Sequence, residues 1–124
     1  MGTVTISQIG QLAVTVQDLD RAVTFYRDIL GLPLLFQAPP GLAFFQCGEV
    51  RLLLSRPEGD SGGATSVVYY KVDDLATAYR TLQNHHVRLI DEPHLIAKMA
   101  DHELWMFFCF DSEGNTLALM QEKR

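Results

Sequence analysis

The stretch "QLAVTVQDLDRAVTFYRDILG", residues 11–31, decides the fold because its plan is used twice in the chain. Apolar residues first alternate, as in a strand, and then recur at three- and four-residue steps, as in an amphipathic helix. A second stretch, "VVYYKVDDLATAYRTLQNHHV" at residues 67–87, has the same plan. At an offset of 56 residues, Val16, Asp18, Leu19 and Ala22 meet the same residue types in the second stretch. We interpret the two stretches as copies of one structural unit.

The two predicted helices carry signals at their ends. Asp18 is placed to cap the first helix, and Gly31 to end it in a left-handed conformation. The apolar stripe of this helix comprises Leu19, Ala22, Val23, Tyr26, Ile29 and Leu30. The stripe of the second helix, which follows Asp73 and Asp74, comprises Leu75, Ala78, Tyr79 and Leu82. His85 and His86 fall at its C-terminal end, where the helix dipole favours positive charge, so we predict them to be helix-end residues.

Three short strands are predicted after each helix, separated by turn residues. The first set is residues 32–38, 41–47 and 50–55, and the second set is residues 87–90, 103–110 and 116–121, with a hairpin turn at 111–115. Each half is therefore β-α-β-β-β, and the fold class is α+β. We expect one domain over residues 1–124, with module one at 6–55, a Gly-rich charged linker at 56–64 and module two at 65–122, because neither half is long enough to close its own core.

Composition limits the function classes. The chain has 124 residues, 48% of them apolar and 20% charged, which is typical of one soluble globular domain. The net charge of −5 and the lack of a basic cluster argue against nucleic-acid binding. No apolar run approaches a membrane span of about 20 residues, and the N-terminus lacks the form of a signal peptide, so we expect a cytoplasmic protein. Cys47 and Cys109 lie in apolar runs and are predicted to be free, buried thiols.

Strand alternation separates two sets of side chains in each copy. Leu12, Val14 and Val16 share the face that should pack on the helix, and Gln11, Ala13 and Thr15 share the other face. By the same repeat, Val68, Tyr70 and Val72 pack on the second helix. Val67 and Tyr69 then face the same way as Gln11 and Ala13.

The chain resembles the vicinal oxygen chelate superfamily, which includes glyoxalase I, bleomycin-resistance proteins and extradiol dioxygenases. The residues that carry the resemblance are "QLAVTVQDLDRAVTFYRDILGLPL", "YYKVDDL" and "FDSEGNTLALMQ". The resemblance implies two βαβββ modules forming a curved mixed sheet around a cavity, with the helices on the outer face. It also implies a homodimer and, in the enzymes, one divalent metal held by strand residues that face the cavity.

The metal-ligand positions that the resemblance implies are Gln11, Leu53, Val67 and Ala118. Relatives that bind metal have His, Glu or Gln there, whereas in this chain only Gln11 carries a donor atom, a neutral amide oxygen. A divalent cation requires several oxygen or nitrogen donors, so we expect no metal and no cofactor at this site.

Other residues are candidates for binding a small molecule at these faces. Arg51 can hold an anionic group, Tyr69 can present its hydroxyl, and Trp105 can either line a pocket or pack in the core. The complete predicted ligand-binding set is Gln11, Ala13, Arg51, Leu53, Val67, Tyr69, Trp105, Ala118 and Met120.

The segment 91–103 concentrates the remaining polar donors in a stretch without clear periodicity. We read it as a loop inserted between two strands, and loops of this kind often carry binding groups. His94, His102 and Glu103 are the candidate catalytic residues, in proton transfer or as ligands of a displaced metal. The alternative is that they are solvated loop residues.

Three functions remain open at this point. The first is a metal-independent protein that binds a small, largely apolar molecule, as the resistance proteins do. The second is a glyoxalase-like lyase or isomerase whose metal is displaced or absent. The third is an assembly or regulatory subunit whose cavity is filled by side chains.

Overall fold

The structure is a computed structural model that describes residues 2–57 and 65–124. The chain divides into two compact units, Met1–Ala64 and Thr65–Arg124. The first unit contains β1 (Gln11–Thr15), α1 (Leu19–Thr24) with a following π-helical turn (Phe25–Ile29), β2 (Leu34–Ala38), β3 (Leu42–Cys47) and β4 (Val50–Ser55). The second contains β5 (Val68–Lys71), α2 (Leu75–Asn84), β6 (His94–Lys98), β7 (Glu103–Phe110) and β8 (Thr116–Lys123). The predicted α+β class with two βαβββ modules is confirmed.

Each unit forms a four-stranded mixed sheet with the same topology. The strand orders are β1-β4-β3-β2 and β5-β8-β7-β6. In both sheets the first strand runs parallel to the last, and the other neighbours are antiparallel. Most of the predicted linker, residues 58–64, lies outside the described residues, and the prediction that the two units form one domain stays a prediction.

The core of the first unit lies between its sheet and its helix. Val14, Leu54 and Phe45 are at most 3% exposed, and the Tyr26 and Phe45 ring centroids are 6.2 Å apart. We call the sheet face that packs on the helix of its own unit the near face, and the opposite face the far face. Leu12 has near-face parity but is 37% exposed, so the helix covers β1 only from Val14 onward.

The first helix has the predicted start and end but a different middle. The Asp18 carboxylate accepts a hydrogen bond from the Arg21 N–H at 3.0 Å, and Gly31 has a positive φ of 75°. Between them, the Leu30 N–H donates to the Phe25 carbonyl, a wider turn than that of an α-helix. This turn brings Phe25, which is outside the predicted stripe, into the core at 5% exposure.

The core of the second unit repeats this arrangement. Phe107 is fully buried and meets Tyr79 of α2 edge-on, with ring centroids 5.1 Å apart. Asp74 caps α2 by accepting from the Thr77 N–H, and the Gln121 side-chain oxygen accepts from the Leu75 N–H. These contacts orient the helix across the near face.

The ends of α2 and of the last hairpin agree with the predictions. His85 is the C-cap of α2, and His86 has a positive φ of 59°, which confirms their helix-end role. In the turn 111–115, the buried Asp111 carboxylate accepts from the Glu113 and Asn115 N–H groups.

The predicted strand at residues 87–90 is wrong. There the chain makes only an isolated bridge, Leu89 to Cys109, and the regular edge strand is β6, at His94–Lys98. The Asp91 carboxylate accepts the Phe108 N–H at 2.7 Å, so a side chain replaces a backbone acceptor at that point. Pro93 follows and has no N–H to donate, which ends regular pairing before β6 begins. His94 is consequently a strand residue and not a loop residue.

Both cysteines are free thiols, as predicted, but only Cys109 is fully buried, whereas Cys47 is half-buried. Among the described residues, no helix is both long and apolar enough to cross a membrane.

Candidate functional site

The far face of the first unit carries four of the predicted ligand-binding residues. In the register of β1 and β4, Gln11 lies opposite Arg51 and Ala13 lies opposite Leu53. Directly paired residues point to the same face of a sheet, so all four share the face away from α1. Gln11, Ala13 and Arg51 are exposed, and Leu53 is half-buried.

Two phenylalanines add an aromatic surface to this face. The Phe36 and Phe44 rings are stacked, with centroids 4.5 Å apart and planes inclined at 23°. The Arg51 guanidinium carbon is 5.9 Å from the Phe44 centroid, which is within reach of a cation–π contact. Phe36 was not predicted as a site residue because an irregularity between Leu34 and Phe36 shifts the strand parity, and nothing in the local sequence signals this shift.

The far face of the second unit is more apolar. Tyr69 pairs with Ala118, which pairs in turn with Phe108, so the three form a row across β5, β8 and β7. The Tyr69 and Phe108 rings meet edge-on with centroids 5.8 Å apart, and Ala118 lies between them in the register. Tyr69 is 49% exposed, whereas Ala118 is fully buried. Val67, 42% exposed, immediately precedes β5.

The next row on this face combines thioethers with charge. Lys71 pairs with Met120, and Met120 with Met106. The Lys71 ammonium lies 3.3 Å from the Glu122 carboxylate, so the cation already has an anionic partner on the same face. The row therefore presents two flexible apolar side chains beside a neutralised ion pair.

His94 also lies on this face, since it pairs with Met106. Its Nδ1 is 2.8 Å from the Glu92 carbonyl oxygen and 3.8 Å from an oxygen of Asp91. A carbonyl oxygen only accepts, so Nδ1 carries the proton, and in the neutral ring Nε2 is the acceptor.

Trp105 occupies the opposite face. It pairs with Gln121, whose side chain contacts the start of α2, and it shares strand parity with Phe107. Its indole N–H donates to Glu103 at 3.0 Å, and the Lys123 ammonium lies 4.4 Å from the ring centroid. The tryptophan is thus part of the near face and does not join Tyr69 and Ala118.

The three candidate catalytic residues do not come together. His94 begins β6, whereas His102 lies in the turn at the other end of that strand and Glu103 begins β7 on the near face. His102 Nδ1 lies 2.7 Å from an oxygen of Asp101. The bond from His102, with a second from Arg124, holds the pKa of Asp101 below its ordinary value. Within residues 2–57 and 65–124, no three His, Cys, Asp or Glu side chains form a group able to hold a metal ion.

The chain contains two βαβββ units, and each unit has a mixed sheet with a helix on one of its faces. This duplicated βαβββ architecture defines the fold class. Within that class, the chain belongs to the glyoxalase/bleomycin resistance protein/dioxygenase superfamily, whose family model matches residues 8–119.

Solved structures show the same fold at low sequence identity. A lactoylglutathione lyase from Agrobacterium tumefaciens is 24% identical, with a TM-score of 0.74 over 94% of this chain and 95% of that one. A superfamily member from Sphaerobacter thermophilus is 20% identical, with a TM-score of 0.77 over 94% and 98% of the two chains. One from Alicyclobacillus acidocaldarius is 18% identical, with a TM-score of 0.70 over 93% and 91%. No curated protein is significantly similar in sequence to this chain.

The residues at the implied metal-ligand positions do not fit a divalent cation. Leu53, Val67 and Ala118 carry no donor atom, and the one amide oxygen, on Gln11, belongs to a residue paired with the cationic Arg51. A cation there would meet a like charge and a single neutral donor. We therefore derive no chemistry through a metal at these positions.

Proposed function

We propose that the protein binds a small, largely apolar molecule at the far faces of its sheets, without the metal ligands of its metal-dependent relatives. The observation that supports this most is the row formed by Tyr69, Ala118 and Phe108. There the position at which the family resemblance implies a metal ligand is occupied by a buried alanine, which lies between the two aromatic residues in the strand register. Aromatic walls with few polar groups are typical of small-molecule sites.

The far face of the first unit offers a cationic and aromatic surface of its own. Arg51 and Gln11 lie side by side, next to the stacked Phe36 and Phe44 rings. A ligand with an apolar ring system and one anionic or carbonyl group would match this combination, because guanidinium groups bind carboxylate and sulfonate oxygens well.

Two fluorescent dyes test the proposal. 8-Anilinonaphthalene-1-sulfonate has an apolar ring system and an anionic group, and Nile red is apolar and uncharged. We expect saturable binding of both dyes, a loss of about tenfold in the affinity for Nile red in Tyr69→Ala, and a loss of affinity for the sulfonate dye in Arg51→Gln.

Leu12→Ala is the matched control, since Leu12 is an exposed apolar strand residue of near-face parity. Non-saturable binding, or an equal loss in Leu12→Ala, would show that the dyes report only general exposed apolar surface. The homodimer implied by the family is a separate proposal, tested by the molar mass in sedimentation equilibrium.

A metal-independent lyase or isomerase is the second candidate, and His94 is the observation that favours it. Its Nδ1 proton is engaged by the Glu92 carbonyl, so Nε2 is the atom that can take a proton from a ligand on the far face. The version in which His94, His102 and Glu103 hold a displaced metal has no clustered donor set in the described part of the chain.

Turnover measurements separate the two candidates. Chelator-treated protein is assayed against α-keto aldehydes and thiohemiacetals, with His94→Gln as the variant and His85→Gln, at the end of α2, as the control. Turnover that is lost only in His94→Gln would establish the enzyme and displace the binding-protein proposal. Absence of turnover in wild-type protein that binds the dyes would exclude the enzymatic candidate for these substrates.

A further inference from the structure

The far face of the second unit extends beyond β7 onto the segment that follows α2. The Phe110 N–H donates to the Arg88 carbonyl, and the Ile90 N–H donates to the Phe108 carbonyl, both at 2.9 Å. Arg88 therefore lies opposite Phe110, and Ile90 lies opposite Phe108. Phe108 and Phe110 are two residues apart in β7 and share the far face, so the residues opposite them share it too.

Ile90 lengthens the apolar row of this face. Phe108 pairs with Ala118, and Ala118 with Tyr69, so the row runs from Ile90 at one end to Tyr69 at the other. Ile90 is 47% exposed and Tyr69 is 49% exposed, whereas Ala118 between them is fully buried. Both ends of the row are thus accessible to a ligand.

Arg88 brings a cation to this face beside the apolar row. Its guanidinium carbon is 4.5 Å from the Phe110 ring centroid, which is a cation–π distance. Across residues 2–57 and 65–124, its side chain makes no ion pair and no hydrogen bond. Lys71, on the same face, is by contrast paired with Glu122 at 3.3 Å. Since a guanidinium has five N–H donors and no acceptor, Arg88 has donors available to a ligand.

The acidic residues near Arg88 limit the kind of acceptor that it can bind. Asp91 and Glu92 follow it closely in the chain, and Asp111 follows the last residue of β7. Burial first, and then the negative charges of Asp111 and Asp91, raise the pKa of Cys109 to about 12. A ligand anion beside this strand would meet the same two carboxylates. An uncharged carbonyl oxygen can accept a guanidinium N–H without that repulsion.

We infer that the ligand of the proposed far-face site is an uncharged ring system with a carbonyl oxygen, and that Arg88 binds this oxygen while the row from Ile90 to Tyr69 contacts the rings. The inference rests on the proposed function, because it adds a polar contact beside the apolar row on which that function depends. Arg88 then determines specificity, since it favours a ketone, ester or amide over a hydrocarbon of the same shape.

The test is a titration of the full chain with three naphthalenes of similar shape, followed by backbone amide chemical shifts. 2-Acetylnaphthalene carries a carbonyl oxygen, 2-isopropylnaphthalene has no strong acceptor, and 2-naphthoate is an anion. We expect the ketone to bind about tenfold more tightly than the hydrocarbon, and the naphthoate to bind more weakly than the ketone. The saturable shifts should include residues 88–90 and 108–110.

Arg88→Met removes the donors but keeps an unbranched side chain beside the Phe110 ring. In this variant the affinity for the ketone should fall to that for the hydrocarbon, and the affinity for the hydrocarbon should not change. Arg88→Lys keeps the charge but loses the planar set of donors, so it should retain only part of the preference for the ketone. Arg80→Met, at an exposed arginine of α2 in the same unit, is the matched control and should leave all three affinities unchanged.

The outcomes separate this inference from the proposed function. Equal affinities for the ketone and the hydrocarbon in wild-type protein, or an equal loss in Arg80→Met, would overturn the inference. The proposed function would survive that result if Tyr69→Ala still weakened hydrocarbon binding. Tighter binding of naphthoate than of the ketone would overturn the uncharged class of ligand. Absence of saturable hydrocarbon binding would contradict both proposals.

Discussion

The two units of this protein are alike where they pack on their helices and different on their far faces. On the near faces, Phe45 and Phe107 are both fully buried and both meet a tyrosine of the helix in their own unit. On the far faces, Gln11 corresponds to Val67, Ala13 to Tyr69 and Leu53 to Ala118 in the duplicated register. A side chain that packs against a helix must fit closely in size and polarity, whereas a far-face side chain meets no helix of its own unit and is free of that requirement.

The comparison shows that each far face has its own chemistry. The first unit has a cation beside stacked rings, and the second has a tyrosine, a buried alanine and thioethers. The duplicated strand positions therefore differ in chemistry on the far faces, whereas the near faces of both units carry the same kind of aromatic contact with their helix.

The largest expected effect comes from placing a carboxylate at Ala118 and, for comparison, at Leu53, which corresponds to it in the first unit. Ala118 is fully buried and Leu53 is half-buried. Ala118→Glu should lower the free energy of unfolding by about 3 kcal/mol or more, because it buries an uncompensated charge. Leu53→Glu should cost distinctly less, since its carboxylate can reach water. Urea unfolding of both variants measures the difference, with Ala118→Ser as an uncharged control. Equal losses would contradict the contrast in burial.

The turns between the last two strands of each unit differ in a similar way. In the second unit, Asp111 is 6% exposed and accepts two backbone N–H groups, while in the first unit Gln46 donates its side-chain amide to the Gly48 carbonyl. Asp111→Ala should cost about 2 kcal/mol because it leaves part-buried donors without their acceptor, and Gln46→Ala about 1 kcal/mol or less. Thermal unfolding checks the order. A larger loss in Gln46→Ala would show that the first turn depends more on its side-chain bond.

Sequence reasoning predicted most of this fold because the decisive signals were local. The caps at Asp18 and Asp74, the stop at Gly31 and the turn at 111–115 each depend on a few neighbouring residues. The strand at 87–90 was misplaced because a side chain, Asp91, takes a backbone role that no periodicity reveals. Residues whose face follows from simple alternation, such as Tyr69, were placed on the expected face.

The candidate site was less predictable. Trp105 was ambiguous because the strand around it is apolar on both faces, so alternation gives no sign of which face meets α2. Phe36 depended on an irregularity in β2, and the separation of His94 from His102 depended on where β6 begins. These outcomes are set by pairing with distant strands, and only the register of the sheet determines them.

The two cysteines, one in each unit, extend the comparison to chemical reactivity. Burial, with Asp111 and Asp91 nearby, raises the pKa of Cys109 to about 12, whereas Cys47 has a smaller upward shift of its pKa from burial alone. Iodoacetamide should therefore modify Cys47 well before Cys109 in native protein, as peptide mass spectrometry after timed quenching would show. Faster labelling of Cys109 would mean that the second unit opens locally.

The raised pKa of Cys109 also determines how the stability of the fold changes at alkaline pH. The folded state keeps the thiol proton to a higher pH than the unfolded state does, so the contribution is complete below the unfolded pKa of about 9. As the pH rises from there toward about 12, stability falls by about 1.4 kcal/mol per unit from this group. Urea unfolding between these limits should show a shallower slope in Cys109→Ala, and an unchanged slope would assign the loss to other groups.

The smallest difference is expected at the helix starts, where the units are most alike. Asp18→Ala and Asp74→Ala each remove a carboxylate that accepts an N–H three residues later, so the two variants should lose similar amounts in melting temperature. Hydrogen bonds from Thr77 hold the pKa of Asp74 below its ordinary value. Its stabilising effect is thus present above the unfolded pKa and is lost as the pH falls through the lowered folded value. A pH-independent loss in Asp74→Ala would contradict this.

The π-helical turn at Phe25–Ile29 has a consequence for how the chain tolerates changes in length. A turn whose hydrogen bond joins residues five apart, Leu30 and Phe25, contains one residue more than an α-helical turn, whose bond joins residues four apart. Removing a single residue from most helices rotates every later side chain by about 100° and misaligns the packed stripe. Here, a one-residue deletion within the turn returns the backbone to regular α-helical spacing. We therefore expect the first module to tolerate the loss of one residue at this point. The same deletion in α2, which is a regular α-helix, would rotate its apolar stripe away from the sheet.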